Sequence, residues 1–392
     1  MTCLMIDAMK PLRSISMLLL CAGTLLQGGC ATANPYFNPA KSHHTPEGFK
    51  NNSTDGVVRP FSDLLRWKWD AFRDDLPPPP KTPTPVQAPD LALINANASA
   101  GIAMQPMVTW IGHATALVQA SGLNVLTDPI FSERAFPVQI AGPKRTQPPG
   151  VRLTDLPPID VVIVSHNHYD HLDRLSVIAL NERATGSTMF LVPLGNKPWM
   201  ENIGITNVIE LDWWDSVTLI RNQDGKPARA VPGQAGVEFF LTPVQHWSAR
   251  GLGDRSTTLW GGWSVFGPDF QWYFGGDNGY SKDFVDTFKK FPNRRLPGHA
   301  AKLFDLALIP IGAYEPRWFM KEQHVNPMES VQTHKDLGAV QSIGIHWGTF
   351  NLTDEALDQP PIDLAVARKA LGVAEGDFFL LKIGETHKSF RK

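Results

Sequence analysis

Between Ser165 and Leu172 the chain reads Ser-His-Asn-His-Tyr-Asp-His-Leu, so three histidines and an aspartate fall within six positions. Neutral imidazole nitrogen and carboxylate oxygen are the usual ligands of zinc and similar metals. In an extended loop, side chains two apart share a side, so His166 and His168 point one way. A turn into a following helix aims Asp170 and His171 at a second point nearby. Four ligands divided into pairs imply two metal ions rather than one. The bland alternative, four polar residues of a solvated loop, leaves their density and their delivery by a strand unexplained.

The flanking sequence supplies the elements that position them. Residues 159–164, Ile-Asp-Val-Val-Ile-Val, form a mostly β-branched apolar run that predicts a buried strand. Residues 173–180 predict a helix with Asp173 in its first turn. The cluster therefore sits on a strand-to-helix loop, where α/β folds place their chemistry. The pattern recurs downstream. Residues 238–244, 271–274 and 340–345 read as strands, followed respectively by Gln245-His246-Trp247, Gly275-Gly276-Asp277 and His346-Trp347-Gly348. A single histidine after a strand is usually structural. Together with the loop these positions supply seven ligand-type residues, enough for two metals with one shared carboxylate and an open position for water. Upstream, residues 108–110, 116–118 and 124–127 read as strands. Asp128 then ends a strand on the same edge, either orienting a metal-bound imidazole from behind or forming a turn before Pro129. His113 reads as a hydrogen-bonded turn histidine rather than a ligand.

At 392 residues, with 43% hydrophobic and 19% charged residues, the chain is globular and holds one large domain or two modest ones. A net charge of −2 leaves no electrostatic footprint for nucleic acid, so no nucleic-acid partner is expected. There are 12 tryptophans against 5 tyrosines, a bias that suits apolar pockets and membrane interfaces as well as core.

The first 29 residues read as an export signal. Lys10 and Arg13 give positive charge, residues 15–26 an apolar run too short to span a bilayer, and Gly28-Gly29-Cys30 small residues before a cysteine. This resembles a bacterial lipoprotein signal, with Cys30 as the lipidated first residue; Gln27 departs from the usual Leu. Plain secretion and a retained anchor are the alternatives. All three cysteines, Cys3, Cys21 and Cys30, lie in this segment, so the mature body has no disulfide and no zinc–thiolate option. Residues 30–105 read as a tether and N-terminal extension, stiffened by Pro77–Pro80, Pro83, Pro85 and Pro89. Within it, residues 61–72 predict a short amphipathic helix that either packs on the body or dips into a lipid surface. The catalytic body is expected over residues 106–392.

The order His-x-His-x-Asp-His, then His, Gly-Asp and His at strand ends, resembles the metallo-β-lactamase superfamily. Longer blocks resemble the N-acylphosphatidylethanolamine-hydrolysing phospholipase D family within it. They are residues 109–115 (Thr-Trp-Ile-Gly-His-Ala-Thr), 126–131 (Leu-Thr-Asp-Pro-Ile-Phe), 142–145, 165–182, 209–214, 259–265 and 309–320. The resemblance spans about residues 107–382; the first 100 residues share little of it. It implies an α/β fold of the αβ/βα sandwich type, two mixed sheets face to face with helices outside. It implies one zinc held by His166, His168 and His246 and another by Asp170, His171 and His346, with Asp277 bridging. Asp277 and Asp170 would be catalytic, and Gln323 and His324 would contact the substrate phosphate. Several of Trp213, Trp214, Trp247, Trp318, Phe319 and Met320, beside the ligand-bearing segments or these blocks, are expected to line an apolar groove leading to the metals, with core packing as the alternative for each. The implied reaction is phosphodiester hydrolysis of a phospholipid at a membrane surface, giving phosphatidate and an N-acylethanolamine. Iron and manganese accept the same ligands. The rival expectations are another hydrolase on this fold, acting on a lactone, β-lactam or other phosphoester, and an envelope lipoprotein that binds lipid without turnover. The localisation expected is the bacterial envelope, as an outer-membrane lipoprotein facing the periplasm. The sequence leaves the assembly open, a homodimer included.

Overall fold

The computed structural model describes residues 33–53, 59–298, 300–388 and 390. The export signal and Cys30 lie outside the described residues. The strands in chain order begin with a small hairpin, β1 (His44–Thr45) and β2 (Gly48–Phe49). There follow β3 (Met107–Gly112), β4 (Thr115–Ala120), β5 (Leu123–Thr127), β6 (Val161–Ile163), β7 (Met189–Pro193) and β8 (Val208–Leu211). Next come β9 (Ser216–Arg221), β10 (Pro227–Arg229), β11 (Val237–Thr242), β12 (Gly262–Phe266) and β13 (Gln271–Phe274). The last four are β14 (Phe304–Pro310), β15 (Ala339–Ile345), β16 (Phe378–Phe379) and β17 (Thr386–His387).

Two large sheets result, ordered β17-β3-β4-β5-β6-β7-β8 and β10-β9-β11-β12-β13-β14-β15-β16. Each is antiparallel at one end and parallel at the other, the change falling after β5 and after β13. Strand alternation explains how the sheets are packed. In β6, Val161 and Ile163 enter the core between the sheets, against Phe239, Trp263 and Leu308. Val162 and the following Val164 face the other way, into a second core with Val177 and Leu180. Both faces are covered, so the parallel strands read as unbroken apolar runs.

Val177 and Leu180 belong to the helix α3 (Arg174–Arg183), which leaves the histidine loop. Asp173 is its N-cap rather than part of its first turn, and accepts a 3.2 Å hydrogen bond from Ser176 N. The strand expected over residues 238–244 ends at Thr242, and His246 sits on the loop beyond it. The strand expected over 340–345 extends to Ala339, with His346 directly after its last residue.

Much of what reads as a tether lies against the body. The helix over Phe61–Arg73 buries Trp67 and Ala71 and leaves Phe61, Leu65, Trp69 and Phe72 exposed. Trp67 Nε1 donates to Asp354 Oδ2 at 2.8 Å, and its ring tilts onto Phe319 at 4.9 Å. Further on, Thr84 Oγ1 donates to Gly348 O at 2.7 Å, two residues after His346. At the N-terminal hairpin, His43 Nε2, His44 Nε2 and Lys41 Nζ reach the Asp212 carboxylate at 2.7, 2.8 and 2.5 Å. The lysine ammonium already occupies that carboxylate, so this cluster is a clamp for the extension rather than a cation site.

Candidate metal centre

The C-terminal ends of β6, β11, β13 and β15 meet at one edge of the sandwich, and all seven expected ligands face one another there. Asp277 reaches this point because the turn before it packs closely. Gly276 has φ +55°, and a Cβ on it would stand 2.3 Å from the Ser165 Cβ. Only glycine fits both demands. His346, with φ +61°, holds a left-handed conformation without being glycine, and its N–H donates to His113 O at 2.9 Å.

The centre divides into two nests. In the first, His166 Nε2 is 2.7 Å from His168 Nδ1, and His246 Nε2 is 3.4 Å from the same atom. The Asp277 carboxylate stays 3.9 Å from both Nε2 atoms. In the second, Asp277 Oδ2 is 3.1 Å from His171 Nε2, and Asp277 Oδ1 is 3.0 Å from His346 Nε2. Asp170 Oδ2 lies 3.3 and 3.5 Å from these two nitrogens. Asp277 therefore stands between the nests.

Partners behind the ligands set which nitrogen points inward. His171 Nδ1 lies 2.6 Å from Asp128 Oδ2, and His246 Nδ1 lies 2.9 Å from the Gln323 carbonyl. Each outer nitrogen faces an acceptor and so carries a proton, which turns Nε2 toward the centre; a cation bound there takes the place of any second proton on that nitrogen. Asp128 also accepts from Ser165 N at 2.7 Å and Ser165 Oγ at 2.5 Å. Of its two readings, the orienting one describes these contacts. His113, on the β3–β4 turn, sets its Nε2 2.9 Å from Asp170 Oδ2. It is hydrogen-bonded at a turn, as expected, and braces a ligand-type carboxylate, while its own ring nitrogen stands within 4.8 Å of the ligand atoms of Asp170, His171 and His346.

Burial and charge treat the nests differently. Burial draws His166 and His246 well below the usual imidazole range and His168 to about 4, so the first nest is neutral. In the second, burial opposes the charge of His171 and His346, but Asp277 and Asp170 outweigh it. His171 rises well above the usual range and His346 to about 9. Burial also opposes ionisation of Asp277 and Asp170, and the facing histidines overcome it, holding both carboxyls well below the ordinary value.

The donor set fits divalent cations. His171 Nε2, His346 Nε2 and Asp277 Oδ1 are buried without a hydrogen-bond partner. In the first nest three imidazole nitrogens converge, and among the described residues the nearest carboxylate oxygen, of Asp277, stays 3.9 Å away. A cation that displaces the Nε2 protons of His171 and His346 satisfies atoms so placed, and six nitrogen and oxygen donors around a shared carboxylate suit two.

Several residues that sequence reasoning passed over support this edge. Arg250 lies between the rings of Tyr169 and Trp199, at 4.2 and 4.4 Å, and Nη1 donates to Asn167 O and Leu172 O at 2.8 Å each, holding both ends of the histidine loop. Asn51, from the extension, pairs with the His246 backbone. Its Nδ2 donates to His246 O and its Oδ1 accepts from His246 N, both at 2.9 Å. No local pattern around Asn51 signals this; its partner is 195 residues away.

Above the centre is a cavity of about 510 Å³ whose wall includes Leu64, Trp67, Trp247, Phe319, Met320 and Leu352. Gln323 and His324 also line it. His324 Nδ1 is 3.8 Å from Asp277 Oδ2, buried and unpartnered, and burial lowers this histidine to about 4. Gln323 Nε2 turns to Phe319 O at 3.3 Å. Of the aromatic and Met positions expected along an apolar groove, Trp247, Phe319 and Met320 are there. Trp213 is instead buried in the core, stacked on His43 at 4.4 Å, and Trp214 packs on that core beside Phe291. Both follow β8, and the clamp at Asp212 draws them inward. Trp318 is exposed, edge-on to Phe319.

Two facing mixed sheets with a histidine–aspartate centre at their shared edge define the metallo-β-lactamase fold, in the ligand arrangement of a metal-dependent hydrolase. The family described as the β-lactamase superfamily domain matches residues 123–347, more than half of the chain, and the chain belongs to that superfamily. A Caenorhabditis elegans protein named N-acyl-phosphatidylethanolamine-hydrolyzing phospholipase D 1 is 45% identical over 248 residues, 62% of this chain and 64% of that protein. A Saccharomyces cerevisiae protein named as a mitochondrial phospholipase D of the same specificity is 36% identical over 255 residues, 64% of this chain and 49% of its own. The chain thus spans less than two thirds of these relatives. An isothiocyanate hydrolase from Delia radicum gut bacteria shares the fold, with a TM-score of 0.53 and 19% identity, over 73% of this chain and 100% of the other.

Proposed function

We propose that this chain is a metal-dependent phosphodiesterase of the phospholipase D type, acting on glycerophospholipids and preferentially on N-acylated phosphatidylethanolamine. The observation that carries the reading is the union of a seven-ligand centre with an apolar cavity directly above it. A charged phosphodiester meets the first, and acyl chains meet the second. The names of the nematode and yeast relatives support the choice of substrate.

His166, His168 and His246 would hold one zinc ion and Asp170, His171 and His346 the other, with Asp277 shared. Bound there, the two ions supply Lewis-acid polarisation of the phosphoryl oxygens and an acidified water. The chain's own residues do the rest. Hydrolysis adds one water across the P–O bond on the ethanolamine side: the water oxygen joins phosphorus and a proton passes to the departing alkoxide. Asp277, held ionised, orients the water and accepts its proton. His324 is neutral at pH 7 and presents Nδ1 to the cavity, placed with Gln323 to hold the non-bridging oxygens. Leu64, Phe319 and Met320 exclude water from the acyl side and hold the diester in line.

We further propose that Cys30 is lipidated and fixes the enzyme to the periplasmic side of a bacterial outer membrane, where Phe61, Leu65, Trp69 and Phe72 face the lipid surface. The signal-like first 29 residues support this, as does the exposed face of the helix. Cys30→Ser should release an unlipidated or uncleaved precursor; a wild-type protein found wholly in the soluble fraction contradicts it.

The functional test is turnover by metal-analysed protein of labelled N-acylphosphatidylethanolamine, a lactone and a β-lactam. Release of N-acylethanolamine at the highest kcat/KM of the three is expected. Faster opening of either ring transfers the assignment to another hydrolase of the fold, and no turnover at full metal occupancy to a lipid-binding protein.

A further inference from the structure

Of the residues in the block 309–320, Phe319 and Met320 line the cavity. Arg317, which opens the same short helix Arg317–Met320, reaches along the chain instead. Its Nη1 donates to His324 O at 2.8 Å and its Nη2 to Glu329 Oε2 at 2.8 Å. Its backbone N–H donates to Glu315 Oε2 at 2.9 Å. Glu329 is in the first turn of the helix Pro327–Asp336, where it forms a capping box with Asn326. The guanidinium therefore ties one helix to the start of the next, and Gln323 and His324 lie on the chain between them.

His324 depends on such a tie. Its Nδ1 lies 3.8 Å from Asp277 Oδ2, buried and without a hydrogen-bond partner among the described residues, whereas Nδ1 of His171 and Nδ1 of His246 each meet an acceptor. Its ring stands 5.4 and 5.8 Å from the rings of His246 and His346. With no partner on Nδ1, the direction of the ring is set by the backbone that carries it. Three contacts fix that backbone. His324 N donates to Met320 O at 2.9 Å, and Val325 N donates to Asn278 O at 2.7 Å, one residue after Asp277. The third is the Arg317 bond to His324 O. The first two run from backbone to backbone, so the third alone depends on a side chain. A guanidinium suits it, because its fork of donors holds a carbonyl and a carboxylate at once.

We propose that Arg317 is the positioning residue of His324: by holding the His324 carbonyl against the start of the helix Pro327–Asp336, it sets where the imidazole meets the phosphate. The proposal rests on the reading of His324 as a contact to the non-bridging oxygens. A misplacement of about 1 Å in such a contact can lower turnover about a hundredfold.

The test uses the metal-loaded full chain as wild type, Arg317→Met, His324→Gln and the double variant, each checked for metal content and thermal midpoint. The substrate is bis(4-nitrophenyl) phosphate, because a short diester has no acyl chain to place against Phe319 and Met320. Arg317→Met should keep the wild-type metal content and lower kcat/KM about ten- to a hundredfold. The double variant should fall no further than His324→Gln alone, as expected of two groups that act through one contact. Losses that multiply in the double variant, a wild-type rate in Arg317→Met, or loss of metal from it each overturn the proposal. Should Arg317→Met fail to fold, Arg317→Lys takes its place, since an ammonium can pair with Glu329 but lacks the fork that also reaches the carbonyl; the same outcomes then decide. Histidine-selective NMR supplies an arm independent of turnover, with His324→Gln identifying the His324 ring signals. Those signals should move in the Arg317 variant while the signals of the ligand histidines stay in place; an unmoved His324 overturns the proposal. Should metal-replete wild type turn over no phosphodiester, the functional reading fails, and the NMR arm alone decides whether Arg317 positions the ring.

Discussion

The two nests of the metal centre solve the same problem, burying ligand atoms, in opposite ways. Around His171 and His346 the chain brings its own counter-charges: Asp277, Asp170 and, behind His171, Asp128. That nest is electrically balanced from within. Around His166, His168 and His246 there are imidazoles alone, drawn to the neutral form by burial, with their nitrogens facing each other across 2.7 and 3.4 Å. Among the described residues, no carboxylate comes nearer to His166 Nε2 or His246 Nε2 than Asp277, at 3.9 Å. The difference teaches that the second nest is organised by electrostatics and the first by positioning, so the first depends more on what holds its loops in place. Its supports are correspondingly remote: Arg250 on the histidine loop and Asn51 on His246.

Removing the residue the nests share should have the largest effect. Asp277→Asn keeps the shape but replaces an anion that faces His171 on one side and His346 on the other. Turnover should fall about a hundred- to a thousand-fold or more, while circular dichroism and the thermal midpoint stay close to wild type. A folded variant with both metals and near wild-type kcat would show that the nests do not need a common carboxylate.

The next pair of variants separates the nests. Asp128→Asn leaves Ser165 N with an acceptor but weakens the charge that fixes the His171 tautomer. Asn51→Asp keeps the acceptor for His246 N but sets a carboxylate oxygen against His246 O. Each should weaken metal binding about 10–100-fold, and each should do so for one equivalent of two. Chelator competition followed by metal analysis would resolve the equivalents, and cobalt substitution would give each nest its own absorption. Loss of both equivalents together in either variant would mean that the nests are one cooperative unit and would remove the distinction.

How far the sequence discloses this site follows the same division. The ligand-type residues are legible because each stands just past an apolar run that reads as a buried strand, as His346 stands after residues 340–345 and Asp277 after residues 271–274. The sandwich followed from resemblance, and its mixed sheets agree with it. The supports were not legible. Asn51, Arg250 and Asp212 are single polar residues whose roles come from partners brought close only by tertiary folding, and no periodicity marks them. The tryptophans misled for a related reason. Trp213 and Trp214 end a block, residues 209–214, that resembles the phospholipase family, yet a place in that block does not say which way a side chain turns after a strand ends. The clamp of His43 and His44 on Asp212 decides it, and that clamp comes from a segment that reads as tether.

The smallest expected effect concerns the cavity wall, where two neighbours differ only in direction. Phe319 lines the cavity and carries Trp67 on its ring at 4.9 Å; Trp318 is exposed, edge-on to Phe319, with Arg66 over its ring at 4.7 Å. If acyl chains occupy the cavity, Phe319→Ala removes apolar contact with the substrate and also loosens the helix that carries Trp67. Burial of one such side chain is worth roughly 1.5–3 kcal/mol, so a partial loss corresponds to about tenfold in kcat/KM. That loss should appear on a long-chain phospholipid and be much smaller on a short soluble phosphodiester, since the short ester has nothing to place against Phe319. Trp318→Ala should cost the lipid only a few-fold, by way of its contact with Phe319. Comparable losses on both substrates in Phe319→Ala would mean that the wall supports the metal centre rather than the acyl chains. A larger loss from Trp318→Ala than from Phe319→Ala, confined to substrate presented in vesicles, would move the lipid contact from the cavity to the outer face of the extension.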